Sequence, residues 1–336
     1  MISPTSSGIG GTTQHVNGLS DFLRSKNHHV TIISSENTFT IPIKKLKNLS
    51  FMISSFVKTK FSGNYDIIHA HHPIASLSFK ASSAKKIVTF HGVYSKQIGI
   101  LHGNTASNFS NRYEKNALDW ADAITTGSQE AFEFYNKLVS KVSFVPNAID
   151  LNSLPAGSDT RYEKQIIFAG RLSKEKGILT ILEIIKDLPS DIHLLIIGTG
   201  PEENIVRKST ANKENIHFLG YQPKEKTIPL IRGSTVLIQP SFAEGISGTL
   251  LEAMACKTPI IATNVGGNKE LLGKKNVGIL IEPGDSKTLL KKILELVNEK
   301  ELLEKISISA HTEVQKYDWS NVGQCYVDLY EKILQS

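Results

Sequence analysis

The sequence predicts an α/β protein whose doubly wound parallel-sheet architecture occurs twice, and three observations carry that prediction. Short runs rich in Ile and Val recur along the 336 residues, each followed by a segment of helical periodicity. Continuous apolar runs alternating with helices indicate parallel strands covered on both faces. The length also exceeds what one hydrophobic core usually serves. Third, the polar stretch "LNSLPAGSDTRYE" (151–163) carries Pro155 and Gly157, as a linker does. Two Rossmann-like domains are expected, 1–152 and 163–315, with a helix over 316–336.

In the first half the predicted strands are "HVTIISS" (29–35), "YDIIHAH" (65–71), "KKIVTFHG" (85–92), "ADAITTGS" (121–128) and "KVSFVPN" (141–147). In the second they are "KQIIFAGR" (164–171), "HLLIIGTG" (193–200), "NIHFLGY" (215–221), "STVLIQP" (234–240), "PIIATNVGG" (259–267) and "VGILIEP" (277–283). Ligands of open parallel sheets bind outside the carboxyl ends of the strands, so two such domains facing each other make a cleft. His91, Arg171, Gly198, Glu244 and Gly266 all stand just after apolar runs. Near the carboxyl end, "EVQKYDWSNVGQCYVDLYEKIL" (313–334) reads as an amphipathic helix capped by Asp318 or Ser320. Trp319, Val322, Tyr326, Leu329 and Ile333 fall on or near one of its faces.

No run approaches the roughly 20 apolar residues of a membrane span, and the start lacks the layout of a signal peptide. A cytoplasmic protein is expected. Cys256 and Cys325 are the only cysteines, which gives no disulfide framework and no thiolate zinc site. The net charge of +6 lies entirely in residues 1–150, with 15 Lys/Arg against 9 Asp/Glu; residues 151–336 hold 23 of each. Its densest part, "IPIKKLKNLSFMISSFVKTKF" (41–61), interleaves lysines with Leu46, Phe51, Met52, Ile53, Phe56 and Val57. Such a helix either rests peripherally on an anionic membrane surface or is half-buried with a solvated basic face. Nucleic acid is not expected as a partner, since no binding motif accompanies a modest bias.

Four segments hold candidate chemistry. "AGRLSKEKG" (169–177) leaves a strand with Arg171 and reaches Lys176 before a helix. It reads either as an anion site of two cations and a helix amino terminus or as a solvated turn in which Lys174, Glu175 and Lys176 pair. "SSGIGGTTQHV" (6–16) is a glycine-rich loop whose Gly8, Gly10 and Gly11 match neither a P-loop nor a dinucleotide fingerprint. "HAHH" (69–72) closes an apolar strand, where only His69 and His71 share a face, so a metal site is not expected. His91 in "TFHG" is either a site residue or a satisfied core histidine. Last, "SFAEGISGTLLEAMACKTP" (241–259) brackets small and apolar residues with Glu244 and Glu252. The plain reading is a capped helix with Glu252 on its wet face.

Taken together, "GIGGTTQHV", "YDIIHAHHP", "TFHG", "WADAITTGSQEA", "VPNAID", "FAGRLSKEKG", "LLIIGTGP", "FLGY" and "PSFAEGISGTLLEAMACKTPIIATNVGGNKEL" resemble, in order and over nearly the whole chain, segments of glycosyltransferase family 4. These are retaining nucleotide-sugar transferases of GT-B fold. The last segment is the most specific, with E-x7-E from Glu244 to Glu252, the Gly266-Gly267 turn and Glu270. The resemblance implies a UDP- or GDP-sugar donor, a hydroxyl acceptor, front-face transfer with retention and no metal or other cofactor; the sequence contains no D-x-D.

It also implies residue roles. Glu252 would grip the ribose hydroxyls and Glu244 would stand near the donor sugar, as a binding and charge-stabilising group rather than a nucleophile. Arg171 and Lys176 would neutralise the diphosphate leaving group, helped by backbone amides around Gly245, Ile246, Ser247, Gly248 and Thr249. His91 would face the donor sugar from the opposite domain, Gly10 and Gly11 would close over the phosphates, and Phe218, Leu219 and Tyr221 would border the base. The final helix would cross back onto the first domain.

Three departures qualify the resemblance. Thr13 stands where the family often has Glu, and "GIS" (245–247) replaces the commoner Gly-Phe-Gly. Before the glycine loop stands only "MIS" in place of a basic residue and a full strand. Either the first strand is truncated or Met1 lies inside the true first strand. The second is favoured, because a sheet lacking its innermost strand leaves backbone groups uncovered. The basic, partly apolar segments 41–61 and 91–109 lean toward a lipid-linked acceptor. The alternatives are a non-catalytic sugar-nucleotide-binding partner subunit and a sugar-nucleotide epimerase, the latter supported by architecture alone.

Overall fold

The computed structural model describes residues 1–7, 11–43, 46–94 and 104–336, the side chains of 104–110 excepted. They form two compact units: Met1–Ile149 with Asp318–Ser336, and Asp150–Tyr317.

The first unit runs α1 (Gly11–Ser25), α2 (Lys47–Phe61), β1 (Ile67–Ala70), a 3-10 helix (Pro73–Ala81), β2 (Lys85–Phe90), α3 (Asn104–Trp120), β3 (Ala123–Thr126), α4 (Gln129–Asn136) and β4 (Val142–Phe144). The strands pair in parallel in the order β1-β2-β3-β4. Ahead of β1, Ile2 makes parallel bridges to both Ile33 and Ala70. Its amide donates to the His69 carbonyl at 2.8 Å, and the His71 amide donates back to it at 2.9 Å. Residues 1–3 thus stand between Ile33 and β1, at the β1 side of the sheet. Of the segment predicted as a strand over 29–35, Ile33 forms the bridge, flanked by bonds from the Met1 amino group to the Thr31 carbonyl at 2.7 Å and from the Ser35 amide to the Pro4 carbonyl at 3.4 Å.

Side chains alternate along these strands, and the alternation sorts the helices. Ile68, Ala70, Val88, Phe90 and Ile124 share one core with Phe51 of α2, Phe79 of the 3-10 helix, and Ala117 and Leu118 of α3. On the other face, Ile87 and Ala123 pack with Ile333 of a final helix, Trp319–Gln335. Asp318 caps that helix by accepting from the Ser320 amide at 2.8 Å. It lies against α1 at close range: a Cβ on Gly18 would stand 2.2 Å from the Trp319 indole nitrogen. Trp319, Val322 and Tyr326 join Leu19 and Leu23 of α1 in a core of their own. Asp318–Ser336 belongs to the first unit.

The second unit continues with β5 (Lys164–Ala169), α5 (Ile178–Ile184), β6 (Ile192–Ile197), α6 (Glu203–Thr210), β7 (Ile216–Gly220), α7 (Lys224–Arg232), β8 (Val236–Gln239), α8 (Gly248–Ala255), β9 (Ile260–Thr263), α9 (Gly266–Leu272), β10 (Ile279–Ile281), α10 (Ser286–Leu296) and α11 (Lys300–Val314). The helix Trp319–Gln335 is therefore α12. The parallel strands lie in the order β10-β9-β8-β5-β6-β7. Ile166, Phe168, Leu194, Ile196, Val236, Ile238 and Ile261 face α5 and α10. Their neighbours Ile167, Leu195, Leu237 and Ile260 are equally buried on the opposite face. Burying one such side chain stabilises the fold by about 1.5–3 kcal/mol, which is why these strands read as unbroken apolar runs. The stretch predicted as a linker is tied to this unit: the Asp159 amide donates to the Pro229 carbonyl, and Arg232 donates to the Pro155 and Gly157 carbonyls.

Helix α2 is oriented against its own composition. It buries Phe51, Ser55 and Thr59, while Leu49, Ile53, Val57 and Phe61 stand 45–79% exposed on the opposite side. No helix among the described residues is long and apolar enough to cross a membrane.

Candidate functional site

In the second sheet the winding reverses at β5, whose neighbours are β6 on one side and β8 on the other. The crevice outside such a reversal is where open parallel sheets bind ligands. Arg171 emerges from β5 into solvent and makes no ion pair among the described residues. A 3-10 turn, Lys174–Lys176, follows. The loop after β8 comes to meet it, with the Phe242 amide donating to the Glu175 carbonyl at 2.7 Å.

Gly177 makes that meeting sterically feasible. Its φ is +70°, and a Cβ there would stand 1.8 Å from the Pro240 carbonyl oxygen. A side chain would force the two loops apart. With glycine, Lys176 reaches Glu244 and donates to both carboxylate oxygens, at 2.7 and 2.8 Å.

Glu244 is nearly enclosed, its side chain 6% exposed. Its Oε1 also accepts from Gln239 Nε2 at 2.6 Å and from Ser241 Oγ at 2.8 Å. So many donors hold its oxygens in place as acceptors and leave it poorly placed to attack a carbon centre. The solvated turn weighed from sequence is not the arrangement of Lys176, whose partner lies 68 residues away.

Glu252 sits in the middle of α8 between buried Leu251 and Ala253. The wet-face reading is overturned, because this side of α8 is core. Burial pushes its carboxyl up from the ordinary range, and Lys224, 3.6 Å away, opposes that push without cancelling it. At the start of α8, Ser247 takes the N-cap position but makes no side-chain cap bond to the helix. Gln239 donates to its hydroxyl at 2.9 Å instead. Gly245 to Thr249 thus lead from Glu244 into the amino end of α8, and the Glu244 carbonyl accepts from the Gly267 amide at 3.2 Å. The arrangement combines a free guanidinium, a fixed carboxylate–ammonium pair and a helix amino terminus, a combination suited to an anionic ligand.

The residues expected at a base are less uniform. Phe218 packs against the core of the sheet with the Arg207 guanidinium carbon 5.0 Å from its ring centre. Leu219 is half-buried and Tyr221 is 53% exposed.

In the first unit His91 follows β2 half-buried, its Nδ1 3.3 Å from the Asn147 side-chain oxygen. It belongs to a histidine cluster: His15 lies 4.9 Å and His71 5.9 Å from it, ring centre to ring centre, and His69 lies 4.1 Å from His71. His69 bonds Tyr330 and Thr89 at 2.6 Å each, and His15 bonds Tyr326 at 3.1 Å. Burial lowers all of them, with His91 brought to about 4. At neutral pH they are uncharged. Nothing in this set reproduces metal-ligand geometry among the described residues. Gly11 opens α1 with open space around it, whereas Gly10 and the segment 95–103 lie outside the described residues.

Sequence reasoning missed Gln239, Ser241, Lys224 and His15. Gln239 carried a signal, as the lone polar residue ending the otherwise apolar strand "VLIQ". The others become informative only through partners distant in sequence.

With this geometry in place, comparison with known proteins is direct. Residues 158–312 match the family model described as Glycosyl transferases group 1, and residues 9–153 match that of Glycosyltransferase Family 4. An uncharacterized glycosyltransferase of Methanocaldococcus jannaschii is 26% identical over 346 residues, covering 97% of this chain and 95% of that one. The phosphatidyl-myo-inositol mannosyltransferase of Mycobacterium leprae is 25% identical over 382 residues, covering 100% and 97%. Among solved structures, sucrose-phosphate synthase from Thermosynechococcus elongatus superposes with a TM-score of 0.83 at 19% identity over 99% of both chains. Anabaena HepE in complex with UDP-glucose does so at 0.78 and 16% identity over 98% of both. These likenesses show the fold, the GT-B pair of parallel-sheet domains.

Proposed function

The chain belongs to the group 1 and family 4 glycosyltransferases, and from that premise we propose that it moves a sugar from a UDP- or GDP-sugar to an acceptor hydroxyl, with retention and without a metal ion. The observation that carries this reading is the convergence of Arg171, Lys176, Glu244 and the start of α8 on the reversal point of the second sheet.

Each residue then has a physical task. The guanidinium of Arg171 and the ammonium of Lys176 offset the charge that grows on the diphosphate as the glycosidic bond breaks, with the opening amides of α8 adding to them. Glu244, already fixed by Gln239 and Ser241, accepts sugar hydroxyls and stabilises an oxocarbenium-like transition state. Two carboxylates flanking the bond would mark a glycosidase scheme instead. Glu252, as a carboxylate, accepts from both ribose hydroxyls. His91, neutral at working pH, offers hydrogen bonding to the sugar rather than charge. Phe218, Leu219 and Tyr221 border the base.

The acceptor is read as a lipid-linked hydroxyl at an anionic membrane surface on the cytoplasmic side. Support comes from α2, whose outward apolar row is flanked by Lys47 and Lys60, and from a chain that has no acid between Glu36 and Asp66. The mannosyltransferase relative is named for a lipid, phosphatidyl-myo-inositol.

The test is turnover: nucleoside diphosphate release from a panel of UDP- and GDP-sugars with extracted lipid, the product's anomeric configuration read by NMR. Release that survives the magnesium chelator EDTA, with retained configuration, supports the reading. Inverted product or dependence on added metal refutes it.

A further inference from the structure

Resting on that reading of Glu252, the inference concerns Lys224. This residue opens α7, directly after β7 and the "YQP" turn. Its Nζ lies 3.6 Å from Glu252 Oε1, with side chains 37% and 10% exposed respectively. A carboxylate buried this far would take a proton unless a cation or strong donors offset its burial. A protonated carboxyl has turned one acceptor into a donor, and a vicinal diol that donates two hydrogen bonds needs both oxygens.

The other charged groups around α8 are committed elsewhere. Arg232, at the far end of α7, donates to the Pro155 and Gly157 carbonyls. Cys256, one turn beyond Glu252, is a neutral thiol pushed up to about 11, with burial the largest cause. Helix α11 packs on α8 as well, but its buried acid Glu313 pairs with Lys274 and Lys316. Strand β9, Ile260–Thr263, carries no titratable side chain. The Lys224 side chain makes no other ion pair among the described residues.

We propose that Lys224 is a positioning residue for the nucleotide: its ammonium keeps the Glu252 carboxylate ionised in its buried setting, so that both oxygens accept from the ribose. Removing the ammonium lets Glu252 bind a proton at higher pH. Nucleotide affinity should therefore fail at higher pH in the variant than in the parent.

The experiment is titration calorimetry of the full chain with UDP and GDP from pH 5 to 8.5, for the parent, Lys224→Met, Lys224→Gln and Lys224→Arg. Thermal unfolding of each variant at pH 7.5 is recorded alongside. The expected result is an acid limb of affinity moved up by about one pH unit in Lys224→Met and Lys224→Gln. Their affinity at pH 8.5 should stay within about threefold of the parent, and Lys224→Arg should restore the parental profile. A loss of the same factor at every pH, or an unmoved profile, overturns the positioning role while leaving the proposed function standing. Failure of the parent to bind any nucleoside diphosphate overturns both.

Discussion

At the reversal point of the second sheet the polar side chains are charged and paired, Lys176 with Glu244 and Lys224 with Glu252. At the reversal point of the first, where Ile2 lies between Ile33 and β1, they are histidines kept neutral by burial. One fold class has been furnished in two ways. Paired charges beside the exposed Arg171 suit a site that must receive an anion, since ammonium groups can exchange a carboxylate for a phosphate. Neutral histidines bonded to Tyr326, Tyr330 and Thr89 instead fasten α12 to its sheet. The difference teaches that one topology accommodates charged pairs at one strand end and neutral histidines at another.

The sharpest way to break the comparison is to remove charge from the second unit. Arg171→Ala should lower kcat by about 100- to 1,000-fold, the cost of losing one donor aimed at developing charge, while free nucleoside affinity stays nearly constant. Steady-state kinetics beside calorimetry with uridine and guanosine check the split. Glu252→Ala should weaken UDP or GDP by at least about 100-fold, because two hydrogen bonds to a charged group are each worth about 1.5–3 kcal/mol.

Next in size is the loop contact. Gly177→Ala meets the Pro240 carbonyl and keeps a left-handed φ, which should cost about 1–3 kcal/mol of stability and displace Lys176. Denaturant unfolding of the variant measures the first effect, and an accompanying rise in KM the second.

The first unit should respond to acid. His15, His69, His71 and His91 have folded-state values below their unfolded value near 6.5, His91 at about 4. Their neutrality therefore contributes stability that is complete above about pH 6.5 and is lost as pH falls toward 4. Both tryptophans, Trp120 and Trp319, lie in this unit, so tryptophan fluorescence during denaturation should show its midpoint falling across that window. A midpoint constant from pH 7 to 4.5 would remove the contrast between the units. The smallest effect on stability belongs to Ile53→Ser on α2, 52% exposed, expected within about 0.5 kcal/mol. The same change should still reduce flotation with anionic vesicles, and unchanged flotation would detach α2 from the membrane reading.

How much of this could be read in advance follows from where the information lies. Strands covered on both faces need apolar residues at every position, so "KQIIFAGR" and "HLLIIGTG" declared themselves as β5 and β6. Residues after strand ends were legible for the same reason, and Arg171, Glu244 and His91 stand where expected. The pairing of Lys176 with Glu244 was not legible, because a bond across 68 residues leaves no local trace. Nor could periodicity say which face of α2 turns inward. Its amphipathic pattern is real, yet Phe51, Ser55 and Thr59 go to the core and the Leu49, Ile53, Val57 and Phe61 row does not. Glu252 misled in the opposite sense: a lone acid on an apolar helix suggests solvent, and only packing on both sides of α8 reveals its burial.

The central claim is that the second unit's charged strand ends hold a nucleoside diphosphate. Calorimetric titration of the full chain at pH 7.5 with UDP and GDP tests it most directly. One of them should bind at a single site, with Glu252→Ala weakening that binding by at least about 100-fold. Absence of binding by both, or equal binding in the variant, would contradict it.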